Sequence, residues 1–179
     1  MSSYAVGMRC GMWRLKFERH DIIQVTNNHF APSMGTKMFE ITKTILDLIE
    51  RRESVVLFVQ WKQLEDMFVQ VLRQFSVEAL RLSGTTSVRS AIVKKFVEEQ
   101  GYILILLLDH SSAGLHLSNA RHAIFAHAVV EHKNSVYEQQ ALGRLSLRHE
   151  SDSPVHIHHF ILENTREYDH WINKHKSFR

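Results

Sequence analysis

Apolar positions recur along most of the chain with two different periods, and these periods predict an alternation of strands and helices. Short apolar or alternating runs indicate strands at 55–59, 79–82, 103–108, 122–127 and 155–161. Apolar residues at helical spacing indicate helices at 36–49, 62–75, 87–99 and 135–145, with a last helix from Asn164 onward. This alternation predicts an α/β fold, a doubly wound and mostly parallel sheet with helices on both faces.

The first 34 residues differ from the rest because their apolar residues follow neither period. The segment ends in residues that favour turns, among them Asn27 and Pro32, with Gly35 directly after it. We therefore expect 1–34 to be an irregular N-terminal appendage or linker, followed by one domain over 35–179. A domain of that size can bury a core without disulfides or metals.

Composition and charge narrow the class of protein. The chain is 44% hydrophobic and 23% charged, which excludes intrinsic disorder over its whole length. The 22 Lys and Arg against 19 Asp and Glu leave a net charge of +3, which permits a nucleic-acid partner without requiring one. The longest apolar run, 103–108, is far shorter than the roughly 18 residues of a membrane span, so no membrane partner is expected. Cys10 is the only cysteine, which favours the cytosol or nucleus.

Polar segments follow the predicted strands, at the sheet edge where doubly wound folds bind their ligands. These segments are 60–61, 83–86, 109–119 and 128–134. Trp61, in the first of them, either stacks on a nucleotide or caps the edge of the fold. Candidate phosphate contacts at the same edge are His110, His116, His122, His127 and His132, although loop histidines are more often structural.

Neither of the common glycine-rich loops for nucleotide phosphates occurs in these residues. A phosphate loop ends in Gly-Lys-Ser/Thr and begins with a glycine five residues earlier. The only partial match is Gly35-Thr36-Lys37, where the earlier position is Phe30. No Gly-x-Gly-x-x-Gly occurs either, which argues against a dinucleotide-binding enzyme.

Two later segments carry side chains that suit phosphate. Gly114 and the hydroxyls of Ser111 and Ser112 follow the most apolar predicted strand, and small residues there let the backbone approach a ligand. Arg144 and Arg148 are four residues apart, so a continuing helix places them on one face. Their planar, permanently charged guanidinium groups suit a γ-phosphate.

The order of these segments resembles the C-terminal helicase lobe of superfamily-two motors. The best match is to the Swi/Snf-type chromatin-remodelling ATPases and their divergent fungal members, over about 36–170. The resemblance implies the fold of a second RecA-like lobe. It implies nucleic-acid contacts at Ser83, Gly84, Arg89, Ser111, Ser112 and His116, nucleotide contacts at Gly114, Gln140 and Gly143, and catalytic arginines at Arg144 and Arg148.

The resemblance also implies that this lobe is half of a motor in the nucleus. The lobe would bind duplex DNA and offer arginine to ATP and Mg²⁺ shared with a first, N-terminal RecA-like lobe, in cis or in trans, which is not present in this chain. One alternative is a catalytically inactive, truncated or vestigial lobe that binds nucleic acid or protein. Another is an unrelated Rossmann-like enzyme, against which the missing glycine-rich loop argues.

The sequence departs from the family's motifs in two places. The segment similar to motif V has lost glycines, and His116 stands where the family has Asn. The second arginine of motif VI is expected at position 147, but this chain has Leu147 there and Arg148 one residue late. On a helix this shift turns the side chain by about 100°, which favours the inactive alternative.

Histidines on the last predicted strand raise the question of a metal site. His156 and His158 lie on the same face of that strand, where two imidazoles could hold a metal ion. No carboxylate or helical histidine pattern completes such a site. We therefore expect no metal and favour a structural role for both residues.

Overall fold

A computed structural model of the chain describes residues 19–25, 35–108, 115–127, 132–145 and 155–176. Its strands are β1 (Arg19–Val25), β2 (Val55–Val59), β3 (Ala79–Arg81), β4 (Ile103–Leu107), β5 (His122–Phe125) and β6 (His156–Leu162). Its helices are α1 (Thr36–Glu50), α2 (Lys62–Gln74), α3 (Thr86–Glu98), α4 (His132–Leu145) and α5 (Arg166–Lys176). None of the described helices has the length and apolar character needed to cross a membrane.

The strands form one sheet in the order β1-β6-β5-β2-β4-β3, and every neighbouring pair is parallel. Helices α1 and α2 pack on one face of this sheet. Helices α3 and α4 pack on the other face. The predicted doubly wound α/β fold with helices on both faces is therefore confirmed.

The central strand β2 shows why the sequence contains an uninterrupted apolar run. Successive side chains of a strand point to opposite faces. Val55, Leu57 and Val59 accordingly join the apolar layer under α1 and α2, and Val56 and Phe58 join the layer under α3 and α4. A strand covered on both faces has no position for a polar residue, and all five side chains are buried.

Strand β1 lies inside the segment for which the sequence predicts irregular structure. Residues 19–25 pair in parallel with the whole of β6, from Arg19 opposite His156 to Val25 opposite Leu162. The irregular prediction is therefore wrong for these seven residues. Their pairing depends on the edge of a strand more than 130 positions later in the chain, and a local period carries no information about such a partner. The rest of 1–34 lies outside the described residues.

The turn between α3 and β4 requires a glycine. Gly101 has a φ of +80°, in the left-handed region that residues with a side chain rarely adopt. A Cβ at this position would lie 3.4 Å from the backbone Cα of Arg52. The close approach and the backbone conformation together explain why the predicted helix ends there.

Candidate functional site

The carboxyl ends of β5, β2, β4 and β3 lie side by side along one edge of the sheet. The chain leaves these four strands through His127, Trp61, Leu108 and Ser83. We call the segments that follow these strands the carboxyl edge. Ligands of doubly wound sheets bind at such an edge.

Ser83, Gly84 and Arg89 lie together at the junction between β3 and α3. Ser83 and Gly84 are exposed, and Arg89 is half-buried on the first turns of the helix. Gly84 has a φ of +90°, which a residue with a side chain would adopt only with strain. The Thr85 hydroxyl accepts a hydrogen bond from the backbone N–H of Val88 at 3.5 Å and so caps α3. The structure thus gathers the first three predicted nucleic-acid contacts at one helix N-terminus.

A buried carboxylate connects β3 to the start of α2. Glu65 accepts hydrogen bonds from Arg81 Nε at 2.9 Å and from Lys62 Nζ at 2.5 Å. The second arm of Arg81 donates to Asp66 at 2.6 Å. The hydrogen bond to Glu65 is the main reason why the pKa of Arg81 is raised. Lys62 and Arg81 are therefore compensated by carboxylates.

The segment predicted as motif V is described only in part. Ser111, Ser112 and Gly114 lie outside the described residues. His116 is exposed, and the next residue, Leu117, is fully buried. The buried Leu117 anchors this segment on the sheet and leaves His116 accessible to a partner.

Asn119 anchors the same segment to α3, a role that the sequence analysis missed. Its amide donates to the backbone carbonyls of Glu99 at 2.8 Å and Phe96 at 3.2 Å. It also contacts the Ser54 hydroxyl at 3.2 Å. These carbonyls belong to the last turn of α3, where helical partners are missing. A polar residue two positions after the buried Leu117 is the only sequence signal for this contact.

Helix α4 carries the residues predicted to meet the nucleotide. Gln140 is exposed, and among the described residues no atom outside the helix's own backbone lies within 4 Å of the place where a Cβ on Gly143 would stand. Arg144 belongs to the helix one turn after Gln140, but its side chain lies outside the described residues. Arg148 also lies outside them. The open surface at Gln140 and Gly143 fits the approach of a phosphate group.

A nearly buried pair joins α4 to the sheet. His159 Nε2 on β6 lies 3.6 Å from Glu138 Oε1 on α4, and both side chains are almost fully buried. The His159 ring also stacks on Phe125 of β5 with ring centroids 5.0 Å apart. The buried Ala141 and Leu145 complete the inward face of α4. These contacts hold the helix that bears Gln140 and Gly143 in a defined orientation.

An indole and an imidazole stack at the adjacent ends of β2 and β5. Trp61 is 55% exposed, and its ring lies 4.9 Å from the ring of His127 at an interplanar angle of 24°. Both ring nitrogens of His127 are shielded from solvent and have no hydrogen-bond partner in the described part of the chain. Burial, followed by the nearby charge of Lys37, lowers the pKa of His127 to about 4. The ring is therefore neutral at physiological pH and offers no charge to a phosphate.

Lys37 and Glu167 form an ion pair close to His127. Lys37 Nζ on α1 lies 2.6 and 2.8 Å from the two carboxylate oxygens of Glu167 on α5. Each side chain is only 20% exposed. Burial lowers the pKa of Lys37, and the hydrogen bond to Glu167 opposes this shift. The pair therefore connects the first turns of two helices that are far apart in sequence.

The sequence and the fold of this domain both have counterparts among known proteins. Residues 37–146 match the family described as the helicase conserved C-terminal domain. The chain belongs to this family. The predicted resemblance to the C-terminal lobe of superfamily-two helicases is thereby confirmed.

Similar proteins give the helicase domain its context. The methyltransferase "DNA (cytosine-5-)-methyltransferase DMT5" of Cryptococcus neoformans var. grubii is 27% identical over 138 residues, which is 73% of this chain and 6% of that protein. "DNA repair protein RAD5" of Yarrowia lipolytica is 29% identical over 135 residues, which is 74% of this chain and 13% of that protein. The chain thus spans a small part of both relatives.

A solved structure shares the fold of this helicase domain. The crystal structure of the C-terminal part of the Fun30 ATPase domain superposes with a TM-score of 0.67 at 23% identity. The match covers 80% of this chain and 47% of that chain. The fold is therefore that of a RecA-like helicase C-terminal lobe, as the sequence predicted.

The open space at Gly143 makes a prediction about stability. Replacing Gly143 with Ala in this helicase domain should raise the free energy of unfolding by about 0.5–1 kcal/mol, because glycine weakens a helix interior and no atom of the described part of the chain obstructs the new methyl group. Chemical denaturation of both proteins measures the difference. Gly101→Ala is the contrasting control, since its φ of +80° makes the same substitution destabilising. A destabilised Gly143→Ala protein would show that this face of α4 is covered.

A histidine cluster lies at the amino ends of β5 and β6, opposite the carboxyl edge. His122 Nδ1 lies 3.0 Å from His158 Nε2, and His122 Nε2 contacts the carboxylate of Glu53. The ring of His156 stacks on His122 at 5.0 Å. Burial lowers the pKa of His122, and Glu53 opposes this shift. Within the described residues, no three His, Cys, Asp or Glu side chains are arranged to hold a metal ion. The contacts of His122 with His158, His156 and Glu53 join β5 to β6 and to the residues before β2.

Proposed function

We propose that this domain is the second motor lobe of an ATP-dependent DNA translocase or chromatin remodeller of the Swi/Snf type, acting in the nucleus. The names of both similar proteins concern DNA, one as a methyltransferase and one as a repair protein. The shared fold with a part of the Fun30 ATPase domain supports a motor rather than another α/β enzyme. Because the chain spans only part of these proteins, the activity of the whole protein belongs to the proposal.

The observation that carries the proposal is the surface at the β3–α3 junction. Ser83 and Gly84 are exposed beside the N-terminus of α3, and Arg89 follows on the same helix. Backbone N–H groups, a small hydroxyl and a guanidinium suit phosphate oxygens. Ser111, Ser112 and His116 extend this surface in the proposal. Contacts of this kind hold a duplex by its backbone and do not read its sequence.

The residues of α4 serve the nucleotide in this proposal. Gln140 and Gly143, with Gly114, line ATP that is shared with a first RecA-like lobe in cis or in trans. Arg144, with Arg148 as the second candidate, supplies positive charge to the γ-phosphate, where negative charge develops during transfer. Mg²⁺ bound with the ATP neutralises phosphate charge. The 179 residues contain no phosphate loop, so that part is expected from the first lobe.

A catalytically inactive lobe that binds nucleic acid or protein is the second candidate function. Leu147 favours it, because this residue occupies the position where the resemblance implies a second arginine. Arginine contacts of this kind contribute about 10³–10⁵ in rate, so a misplaced one would abolish most turnover. An inactive lobe that binds nucleic acid would share duplex binding with the motor lobe, so ATP turnover together with a first lobe is the measurement that separates them.

Duplex binding is the first test of the proposal. The domain should bind duplex DNA of unrelated sequences with equal affinity. Raising the salt concentration from about 50 to about 200 mM should lower this affinity about 3-fold for each phosphate contact that the domain makes. Arg89→Ala should weaken binding to all sequences and reduce the slope of log K against log salt by about 1. Fluorescence anisotropy with two labelled duplexes measures both quantities.

Lys43→Ala is the matched control for this experiment, because Lys43 is an exposed cation on α1 and lies on no part of the carboxyl edge. The control removes the same charge from the protein. Equal effects of the two substitutions would mean that only net charge attracts the duplex. Binding that does not respond to salt would contradict the proposed backbone contacts.

A further inference from the structure

We propose that Trp61 is a stacking platform for the base of an unpaired nucleotide, with His127 as the ring that holds the indole in place. This inference rests on the proposed nucleic-acid binding and adds a second kind of contact to it. The platform lies at the carboxyl ends of β2 and β5, two neighbouring strands of the sheet. It is distinct from the β3–α3 junction, because β4 lies between β2 and β3 in the sheet.

The geometry of the indole leaves much of its surface available. His127 covers one face at a centroid distance of 4.9 Å, yet Trp61 remains 55% exposed. More than half of the Trp61 surface is thus available for contact with a third flat ring. Base–aromatic stacking of this kind tolerates every base, because each has a π face.

The backbone of Trp61 is fixed, so the platform is organised before a base arrives. Trp61 is the N-cap of α2, and its carbonyl accepts hydrogen bonds from the N–H groups of Leu64 at 3.1 Å and Glu65 at 3.2 Å. The stack with His127 restricts the side chain as well. Preorganisation of this kind improves affinity because little freedom is lost on binding.

The charges around the platform favour a base over a phosphate. Lys62 pairs with Glu65 at 2.5 Å, and Lys37 pairs with Glu167 at 2.6 Å. The ring of His127 is neutral at physiological pH because of its burial. The platform thus offers a π surface without a free cation from these three residues, and a contact of this kind does not depend on salt.

Phe75 shows that exposure alone does not define such a platform. It is 48% exposed at the opposite end of α2, where it forms the C-cap. No ring stacks on Phe75 among the described residues. It is therefore the matched control, since it is an exposed aromatic residue on the same helix.

The test compares a single-stranded oligonucleotide of about ten residues with an abasic strand of the same length, using fluorescence anisotropy. The unmodified chain should bind the normal strand about 5- to 100-fold more tightly than the abasic strand. Trp61→Ala should remove this preference without changing affinity for the abasic strand or the salt slope. Trp61→Phe should restore part of it, and Phe75→Ala should leave it intact.

The remaining measurements separate the possible outcomes. Equal affinity of the unmodified chain for normal and abasic strands would overturn the inference, whereas salt-dependent duplex binding would still support the proposed function. If the domain neither prefers the normal strand nor binds duplex DNA in a salt-dependent way, both this inference and the proposed function are overturned. Competition by AMP shows whether the platform binds a base of a strand or a free nucleotide. If the base belongs to a strand, AMP should compete only weakly. If AMP binds as tightly as the strand, the platform is a site for a free nucleotide instead.

Discussion

Acidification from pH 6.5 to about 4 is expected to lower the free energy of unfolding by roughly 3 kcal/mol through His127 alone. In the unfolded chain His127 takes up a proton near its ordinary pKa of 6.5, but in the folded chain only near 4. Between these values the unfolded state binds more protons, so stability is complete above pH 6.5 and is lost as the pH falls. Burial is the main cause, and the charge of Lys37 adds to it, while Glu167 opposes it.

His127→Phe isolates this effect, because phenylalanine keeps a flat ring under Trp61 and cannot take up a proton. Urea denaturation at several pH values should show a shallower loss of stability for the variant than for the unmodified chain. The same substitution at the exposed His116 is the matched control, because it exchanges an imidazole for a phenyl ring outside this stack. Parallel profiles for His127→Phe and the unmodified chain would contradict the assigned burial. All three proteins should still lose some free energy of unfolding on acidification, because they share the lowered pKa of His122.

The fold was predictable wherever burial follows from a local pattern. The apolar run of β2 predicts a strand covered on both faces, and Val55 to Val59 are buried without exception. Strand β1 was missed because its partner is the edge of β6, which no local period reveals. Helix α4 begins at His132, three residues before its predicted start, because its first turn carries no apolar residue that a periodic pattern would detect.

Strand β6 illustrates how pairing overrides hydropathy. Its sequence contains His156, His158 and His159, and its alternation correctly predicts a strand. Histidine has a polar side chain, yet His158 and His159 are buried. Each has a polar partner, because His122 contacts His158 and Glu138 contacts His159. Such partners lie on other elements, so sequence spacing cannot identify them.

The position of the candidate site could be predicted from the order of the strands, but its side-chain contacts could not. The order of strands places Ser83, Gly84 and Arg89 on the carboxyl edge, as expected from topology. The stack of Trp61 on His127 required knowledge that β2 and β5 are neighbours. The ion pair of Lys37 with Glu167 joins residues 130 positions apart, and neither residue has a local signal for it.

Removing the carboxylate of that ion pair is expected to lower the free energy of unfolding by about 2–3 kcal/mol in Glu167→Ala. The Lys37 side chain is 20% exposed, so the substitution would remove the counter-charge of a mostly buried cation. The carboxylate that opposes the lowering of its pKa would also be lost, so the pKa of Lys37 would fall further. Because the pKa of Lys37 is lower in the folded state than its ordinary value of 10.5, the free energy of unfolding of the protein rises as the pH rises towards 10.5. The variant should therefore recover stability at alkaline pH.

Two further proteins make this measurement specific. Asp169→Ala removes an exposed acidic residue from the same first turn of α5 and should cost little, because exposed charges at a helix N-terminus contribute about 0.3–1 kcal/mol. Adding Lys37→Met to Glu167→Ala should restore part of the loss, since a buried apolar side chain needs no counter-charge. Chemical denaturation of the four proteins completes the comparison. A double variant no more stable than Glu167→Ala would show that Glu167 does not act through the charge of Lys37, and its contact with the Leu162 N–H at 3.4 Å would then be the next interaction to test.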